Sequence, residues 1–310
     1  MRDIACSKNK IYYIHYTLDW NLMSRYNEYS KTQKVLLRAI CDLPRRKKMK
    51  IDREKATKAF DAYIEQYNRK EEKIRLKIEH TYRVSELCEK IAGALELSEE
   101  DIDLAWLLGL LHDVGRFEQL RQYGTFMDAQ SIDHALFGAE ILFKQGKIRD
   151  YLTDTSEDAL IECAVAYHSA YRLPEGLDER TQMFSNILRD ADKVDILKVN
   201  VDFPLEEIYN VSTKELRNCI VTKEVMEAFM EEHAVLKSLK KTPVDNVVGH
   251  IALIYEMVYP ESVKITVEQG YCNKLMDFQS ENKETMEQFE VIKRKMQLYL
   301  AEKFEKAAFH

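Results

Sequence analysis

Apolar residues recur at helical spacing along most of this chain, and that pattern constrains the fold more than any other feature. Between Glu71 and Leu95 they stand at positions 76, 84, 87, 91 and 95, which places them on one face of an α-helix. Similar patterns predict further helices at about 131–146, 156–170 and 182–200. No segment shows the alternation of polar and apolar residues that is typical of a strand. The fold class predicted from the sequence is therefore all-α, built as a helical bundle.

Residues that break or begin helices support this prediction. Only 9 glycines and 5 prolines occur in 310 residues, which leaves few points at which helices must end. The segment Ser98-Glu99-Glu100-Asp101 has the form of a capping box and predicts the start of a helix. That helix continues through Leu111 and is expected to stop near Gly115.

The chain divides by pattern into three parts. Residues 1–48 are rich in Tyr, Lys and Asn, and we interpret them as an N-terminal arm. An alternative is that translation begins at Met49, because Arg45-Arg46 would be encoded by a purine-rich sequence just upstream. Residues 49–204 form the first helical domain. Residues 205–310 form a C-terminal helical lobe with breaks at Thr242-Pro243 and Tyr259-Pro260.

Charge and cysteine content narrow the classes of partner. The net charge is 46 − 53 = −7, so an extended nucleic-acid surface is not expected, since such surfaces need many basic contacts to phosphates. The 6 cysteines include no CxxC pair, which favours a reducing compartment. The longest apolar stretch, Leu104 to Leu111, is too short to cross a bilayer. We therefore expect a cytoplasmic protein with a small-molecule partner and no membrane contact. The oligomeric state stays open.

Four histidines and two aspartates fall on apolar helical faces. They are His80, His112, Asp113, His134, His168 and Asp192. A carboxylate on such a face costs on the order of several kcal/mol unless its charge is compensated. A divalent cation compensates it directly, and imidazole nitrogen with carboxylate oxygen suits iron, manganese, zinc or cobalt. The sequence therefore predicts a metal site.

Five short segments carry a resemblance to a known family, the HD-domain metal-dependent phosphohydrolases of the two-metal type. The segments are Ile78-Glu79-His80, Leu110-Leu111-His112-Asp113-Val114-Gly115-Arg116, Ile132-Asp133-His134-Ala135, Ala166-Tyr167-His168 and Arg189-Asp190-Ala191-Asp192-Lys193. The resemblance covers roughly residues 71–200, less than half of the chain.

The resemblance implies two divalent metal ions within a helical bundle. His80, His112, Asp113 and Asp192 would hold the first ion, and Asp113 would bridge to a second that His134 and His168 complete. Iron and manganese are the expected metals, with zinc, cobalt, nickel and magnesium as alternatives. A metal-activated hydroxide would then cleave a phosphoester or phosphoanhydride of a nucleotide or dinucleotide. The GYP element that marks one cyclic-di-GMP branch is absent, which weighs against that substrate.

Two basic residues are candidates for contact with phosphate. Many family members carry Lys three residues after the HD aspartate, where this chain has Arg116, and a guanidinium can grip phosphate with two parallel hydrogen bonds. Lys193 directly follows a predicted ligand and is the second candidate. A structural ion pair with Asp190 or Asp195 is an equally good interpretation of Lys193. We therefore predict catalytic roles for Asp113, Arg116 and Lys193.

Two other functions share this ligand pattern. Some HD proteins use a di-iron pair to activate dioxygen, so an oxygenase is one alternative to hydrolysis. The other is a nucleotide-sensing module, in which the site binds a ligand without turnover and the C-terminal lobe relays the signal.

Overall fold

The computed structural model describes residues 49–209 and 211–306, and within these ranges all regular secondary structure is helical. The all-α fold class predicted from the sequence is therefore confirmed. The predicted N-terminal arm, and with it the choice between an arm and a start at Met49, lies outside the described residues. No helix in the described part of the chain combines the length and apolar character that crossing a bilayer requires.

The first part of the fold contains eight α-helices in the described residues. They are α1 Arg53–Ile64, α2 Glu72–Ala94, α3 Glu99–Leu111, α4 Val114–Tyr123, α5 His134–Ala139, α6 Ile148–Tyr151, α7 Asp158–Tyr167 and α8 Glu179–Asp202. A π-helical turn at Glu140–Lys144 extends α5. The helices that the apolar pattern predicted near 71–95, 131–146, 156–170 and 182–200 are all present, with ends shifted by a few residues.

One helix boundary differs from the prediction. Helix α3 begins as predicted, with the Ser98 hydroxyl accepting a hydrogen bond from the backbone N–H of Asp101 at 3.3 Å. It ends at Leu111, however, and Gly115 lies inside the next helix, α4. Gly115 lies at a close contact between helices, since a Cβ there would be 2.2 Å from the carbonyl oxygen of His134. This glycine therefore brings two helices together rather than ending one.

The second part of the fold is also helical. Its helices are α9 Leu205–Tyr209, α10 Thr213–Asn218, α11 Lys223–Met230, α12 Pro243–Ile251, α13 Pro260–Gln269, α14 Tyr271–Met276 and α15 Lys283–Lys306. The breaks predicted at Thr242-Pro243 and Tyr259-Pro260 are confirmed, since each proline opens a helix. The division at residues 204 and 205 stays a prediction, and buried apolar residues continue from one part into the other.

Helix α8 connects the two parts through polar contacts. The Arg189 guanidinium donates hydrogen bonds to the carbonyls of Tyr167, His168 and Ala170 at 2.6–3.1 Å, which satisfies the C-terminal end of α7. The next residue, Asp190, is fully buried and accepts from the backbone N–H groups of Val258 and Tyr259, just before α13. One helix therefore fixes an element on each side of it.

Helices α2 and α3 pack closely because of a glycine at their contact. A Cβ at Gly109 would lie 2.5 Å from the Cα of Ser85 on α2, closer than non-bonded carbon atoms approach. We expect Gly109→Ala to lower the free energy of unfolding by about 1–3 kcal/mol, because the two backbones must move apart. Urea unfolding followed by circular dichroism measures this change.

Gly93 on α2 is the matched control, since nothing lies within 4 Å of a Cβ placed there. Gly93→Ala should leave stability unchanged or raise it by up to about 1 kcal/mol, through better helix propensity. Equal stability of the Gly109→Ala variant and the wild type would contradict the packing argument.

Candidate metal centre

The six predicted residues come from five places in the fold and meet in one buried cluster. His80 lies on α2, Asp192 on α8, and His112 with Asp113 in the short junction between α3 and α4. His134 opens α5, where the Asp133 carboxylate caps the helix by accepting from the N–H groups of Ala135 and Leu136. His168 directly follows α7. All six residues are at most 8% exposed.

The carboxylate of Asp113 lies at the middle of the cluster, and its two oxygens face different partners. Oδ2 is 3.6 Å from Nε2 of His80 and 3.5 Å from Nε2 of His112. Oδ1 is 3.6 Å from Nε2 of His134 and 3.7 Å from Nε2 of His168. On the first side, Oδ1 of Asp192 is 3.2 Å from His80 and 3.8 Å from His112. The cluster therefore has two halves that share one carboxylate.

The second ring nitrogen of each histidine is bound to an acceptor. Nδ1 of His80 is 2.6 Å from Asp195, and Nδ1 of His134 is 2.9 Å from Asp128. The other two contact backbone carbonyls, His112 that of Gly109 at 2.7 Å and His168 that of Val165 at 2.8 Å. In each ring Nδ1 is thus assigned as the protonated nitrogen, and Nε2 is the one that points into the cluster.

The protonation state and the spacing of His134 and His168 show whether a cation fits between them. Burial lowers the pKa of each ring to about 4, so both are neutral near pH 7. Their Nε2 atoms are 3.1 Å apart, and with both protons on Nδ1 two lone pairs face each other. Two ligands about 2.1 Å from a common ion are separated by roughly this distance. The geometry and the donor set fit a divalent cation between the two rings.

The half formed by His80, His112 and Asp192 carries more negative charge. Burial and Lys77 act to lower the pKa of His80, but hydrogen bonds to Asp192 and Asp195 outweigh them and raise it. Burial alone would raise the pKa of Asp192, yet the neighbouring histidines hold it far below its usual range. One ligand atom from each of His80, His112 and Asp192 lies within 4.8 Å of the other two. Such a group can bind a metal ion.

Three basic residues neutralise carboxylates of the centre. Sequence reasoning missed Lys77 and Arg83, and it predicted that Arg116 contacts phosphate. Lys77 Nζ is 2.7 Å from Asp113 Oδ2, and Arg83 donates to both oxygens of Asp195 at 2.6 and 2.9 Å. Arg116 Nη1 is 2.8 Å from Asp128 Oδ1. Lys77 stands three residues before His80, about one helical turn away, and that spacing is the signal that could have found it.

Arg116 and Lys193, the predicted phosphate contacts, are already engaged. Besides Asp128, Nη1 of Arg116 donates to the carbonyl of Phe126 at 2.6 Å and to Gln119 at 2.9 Å. Nε of Arg116 is buried with no hydrogen-bond acceptor in the described structure, 3.8 Å from Asp113 Oδ1. Lys193 donates to the carbonyl of Arg189 at 3.2 Å and lies 3.9 Å from Asp190. Of the two ion pairs considered for Lys193, the structure has the one with Asp190.

Comparison with known proteins agrees with the resemblance drawn from the sequence. Residues 78–198 match the family model described as "HD domain", so the chain contains an HD domain. This range includes all six residues of the cluster.

One curated protein similar to the chain is the "3'3'-cGAMP-specific phosphodiesterase 1" of Vibrio cholerae serotype O1. The two are 29% identical over 145 residues, which is 46% of this chain and 31% of the relative. The chain thus spans about a third of the length of that protein. The search of solved structures found no match.

Asp195 positions His80 by accepting from its Nδ1, and metal sites depend strongly on such partners. We expect Asp195→Asn to weaken Mn²⁺ binding by about 10–100-fold, because the weaker acceptor leaves His80 less well oriented and less basic. Isothermal titration of the metal-free protein with Mn²⁺ measures the affinity. The control is Glu179→Gln, which removes an exposed carboxylate from the first turn of the same helix. Wild-type affinity in the Asp195→Asn variant would show that this contact has no role in metal binding.

Proposed function

We propose that this protein is a metal-dependent phosphohydrolase that cleaves a phosphoester or phosphoanhydride bond of a nucleotide or dinucleotide. The observation that carries the proposal is the position of Asp113, whose two oxygens face two separate groups of ligand atoms. A carboxylate in that position is suited to bridging two ions, and paired ions are a common means of hydrolysing phosphate esters.

In this proposal each half of the cluster holds one divalent ion. His80, His112, Asp192 and Oδ2 of Asp113 would hold the first ion, and His134, His168 and Oδ1 of Asp113 the second. Mixed nitrogen and oxygen ligands favour iron or manganese, and also admit zinc, cobalt, nickel or magnesium. When bound, the ions would supply an activated water and would neutralise charge on the phosphoryl oxygens.

The protein's own groups would orient the histidine rings and keep the proton of each ring on Nδ1. The Nδ1 contacts of the four histidines keep each Nε2 available for the ions. Arg116 stays our candidate for contact with substrate phosphate through its unpartnered Nε–H. For Lys193, the contacts with Arg189 and Asp190 favour the structural interpretation, in which it stabilises α8.

The substrate class rests on the relative and on charge. The similar Vibrio protein is named for a cyclic dinucleotide, so cyclic dinucleotides are the first substrates to test, followed by linear dinucleotides and mononucleotides. The overall charge of −7 argues against an extended nucleic-acid substrate. We expect a small phosphorylated molecule as the partner and the cytoplasm as the location.

Loss of the shared carboxylate should disable both halves of the site at once. For the test, wild type and Asp113→Ala are purified anaerobically, loaded with Mn²⁺ or Fe²⁺, analysed for metal and assayed for phosphoester cleavage. We expect about two ions per chain in the wild type. In the variant we expect weakened retention of both ions and a fall in turnover of at least about 100-fold.

Asp150→Ala is the matched control, since this carboxylate is 58% exposed and lies on the surface beside Lys147. It should retain full metal content and activity. Unaltered turnover in Asp113→Ala would contradict the proposal. Oxygen consumption without anaerobic phosphoester cleavage would identify an oxygenase instead, and tight nucleotide binding without turnover would identify a sensor.

A further inference from the structure

Lys77 lies beside the shared carboxylate, and its position suggests a role beyond neutralising charge. Its Nζ is 2.7 Å from Oδ2 of Asp113, and the ammonium also lies 5.7 Å from the centre of the Phe126 ring. The side chain of Lys77 is 17% exposed, whereas that of Asp113 is 3% exposed. Lys77 is therefore the more exposed partner of an ion pair that reaches the middle of the centre.

The other cations around the centre have acceptors that metal binding leaves in place. Arg83 is held by Asp195, and Lys193 by the Arg189 carbonyl and Asp190. Arg189 itself is held by carbonyls at the end of α7. Arg116 is held by Asp128 and by the Phe126 carbonyl. Lys77 differs from these, because its hydrogen-bond acceptor is itself a proposed metal ligand.

The charge of the centre becomes strongly positive when two ions bind. Five aspartates contribute −5 and the five cations contribute +5, which gives −5 + 5 = 0; they are Asp113, Asp128, Asp190, Asp192, Asp195, Lys77, Arg83, Arg116, Arg189 and Lys193. Two divalent ions would add +4, for a total of 0 + 4 = +4. A centre with that charge attracts anions, and an ammonium without its own carboxylate is a strong donor to them.

We propose that Lys77 is a substrate-binding residue of this site. In the metal-free protein its ammonium pairs with Asp113; when the ions take that carboxylate, Lys77 donates a hydrogen bond to a phosphoryl oxygen of the substrate. This inference rests on the proposed function, since it assumes that two ions bind at Asp113. It assigns recognition of phosphate to α2, one turn before His80.

A purely positioning role would have a different signature. If Lys77 only orients Asp113 for the metals, its removal weakens metal binding. If it binds the substrate, its removal takes a positive charge away from the ions, so metal binding is retained or tightened while anion binding weakens. Separate measurements of the two affinities therefore distinguish the roles without any assay of turnover.

The experiment compares wild type, Lys77→Met and Lys90→Met, with Lys77→Gln as a second variant should the methionine variant fail to fold. Lys90 is an exposed lysine on the same helix and serves as the control. Mn²⁺ is titrated into each metal-free protein, and inorganic phosphate is then titrated into each Mn²⁺-saturated protein. Circular dichroism checks that every variant is folded.

We expect the Lys77 variants to bind Mn²⁺ no more weakly than wild type, within about threefold, and to bind phosphate about tenfold or more weakly. Lys90→Met should match wild type in both. The inference is overturned if Mn²⁺ binding falls further than this, or if phosphate binding is unchanged in the variants or absent in the wild type. A wild type that binds both Mn²⁺ and phosphate yet cleaves no phosphoester would overturn the proposed function alone.

Discussion

The buried carboxylate of Asp113 is the constraint on which the rest of the centre depends. It is 2% exposed, and an isolated charge in such a place is costly. Here it is compensated by Lys77 at 2.7 Å and faced by four imidazole nitrogens at 3.5–3.7 Å. The helices that supply these groups must meet at one point, and the backbone approaches at Gly109 and Gly115 allow them to do so. Tight helix packing and the chemistry of the centre are therefore parts of one arrangement.

Much of the fold could be predicted because helical periodicity is a local property of sequence. The long helices α2 and α8 were found from apolar spacing, and the starts of α12 and α13 from their prolines. Helix α4 was missed because Gly115 was interpreted as a terminator. A glycine that ends a helix and one that permits close contact between two helices look alike in sequence. Only the position of His134 and Gly138 opposite Gly115 distinguishes the two cases.

The sequence identified the six residues of the candidate site, but it did not predict how they are arranged. Six residues on apolar faces indicated a metal site, and the structure brings all six together. Which oxygen of Asp113 faces which histidines depends on how five elements cross, and no local pattern contains that information. The same holds for Lys77, Arg83 and Asp128, whose partners lie 36, 112 and 6 positions away. Charged residues are usually solvated, so of these three only Lys77, one helical turn before His80, had a sequence signal that could select it.

Helix α8 makes four separate side-chain contacts within seven residues, and these contacts fix the direction in which each residue must point. Arg189 closes the end of α7, Asp190 binds the segment before α13, Asp192 faces His80 and His112 in the buried cluster, and Asp195 holds His80. Each residue along an α-helix is turned about 100° from the last. Adding or deleting a single amino acid between Arg189 and Asp195 would swing the later groups away from their partners while the earlier ones stayed bound. The length of this stretch is therefore constrained as strictly as the identity of the four residues that make these contacts.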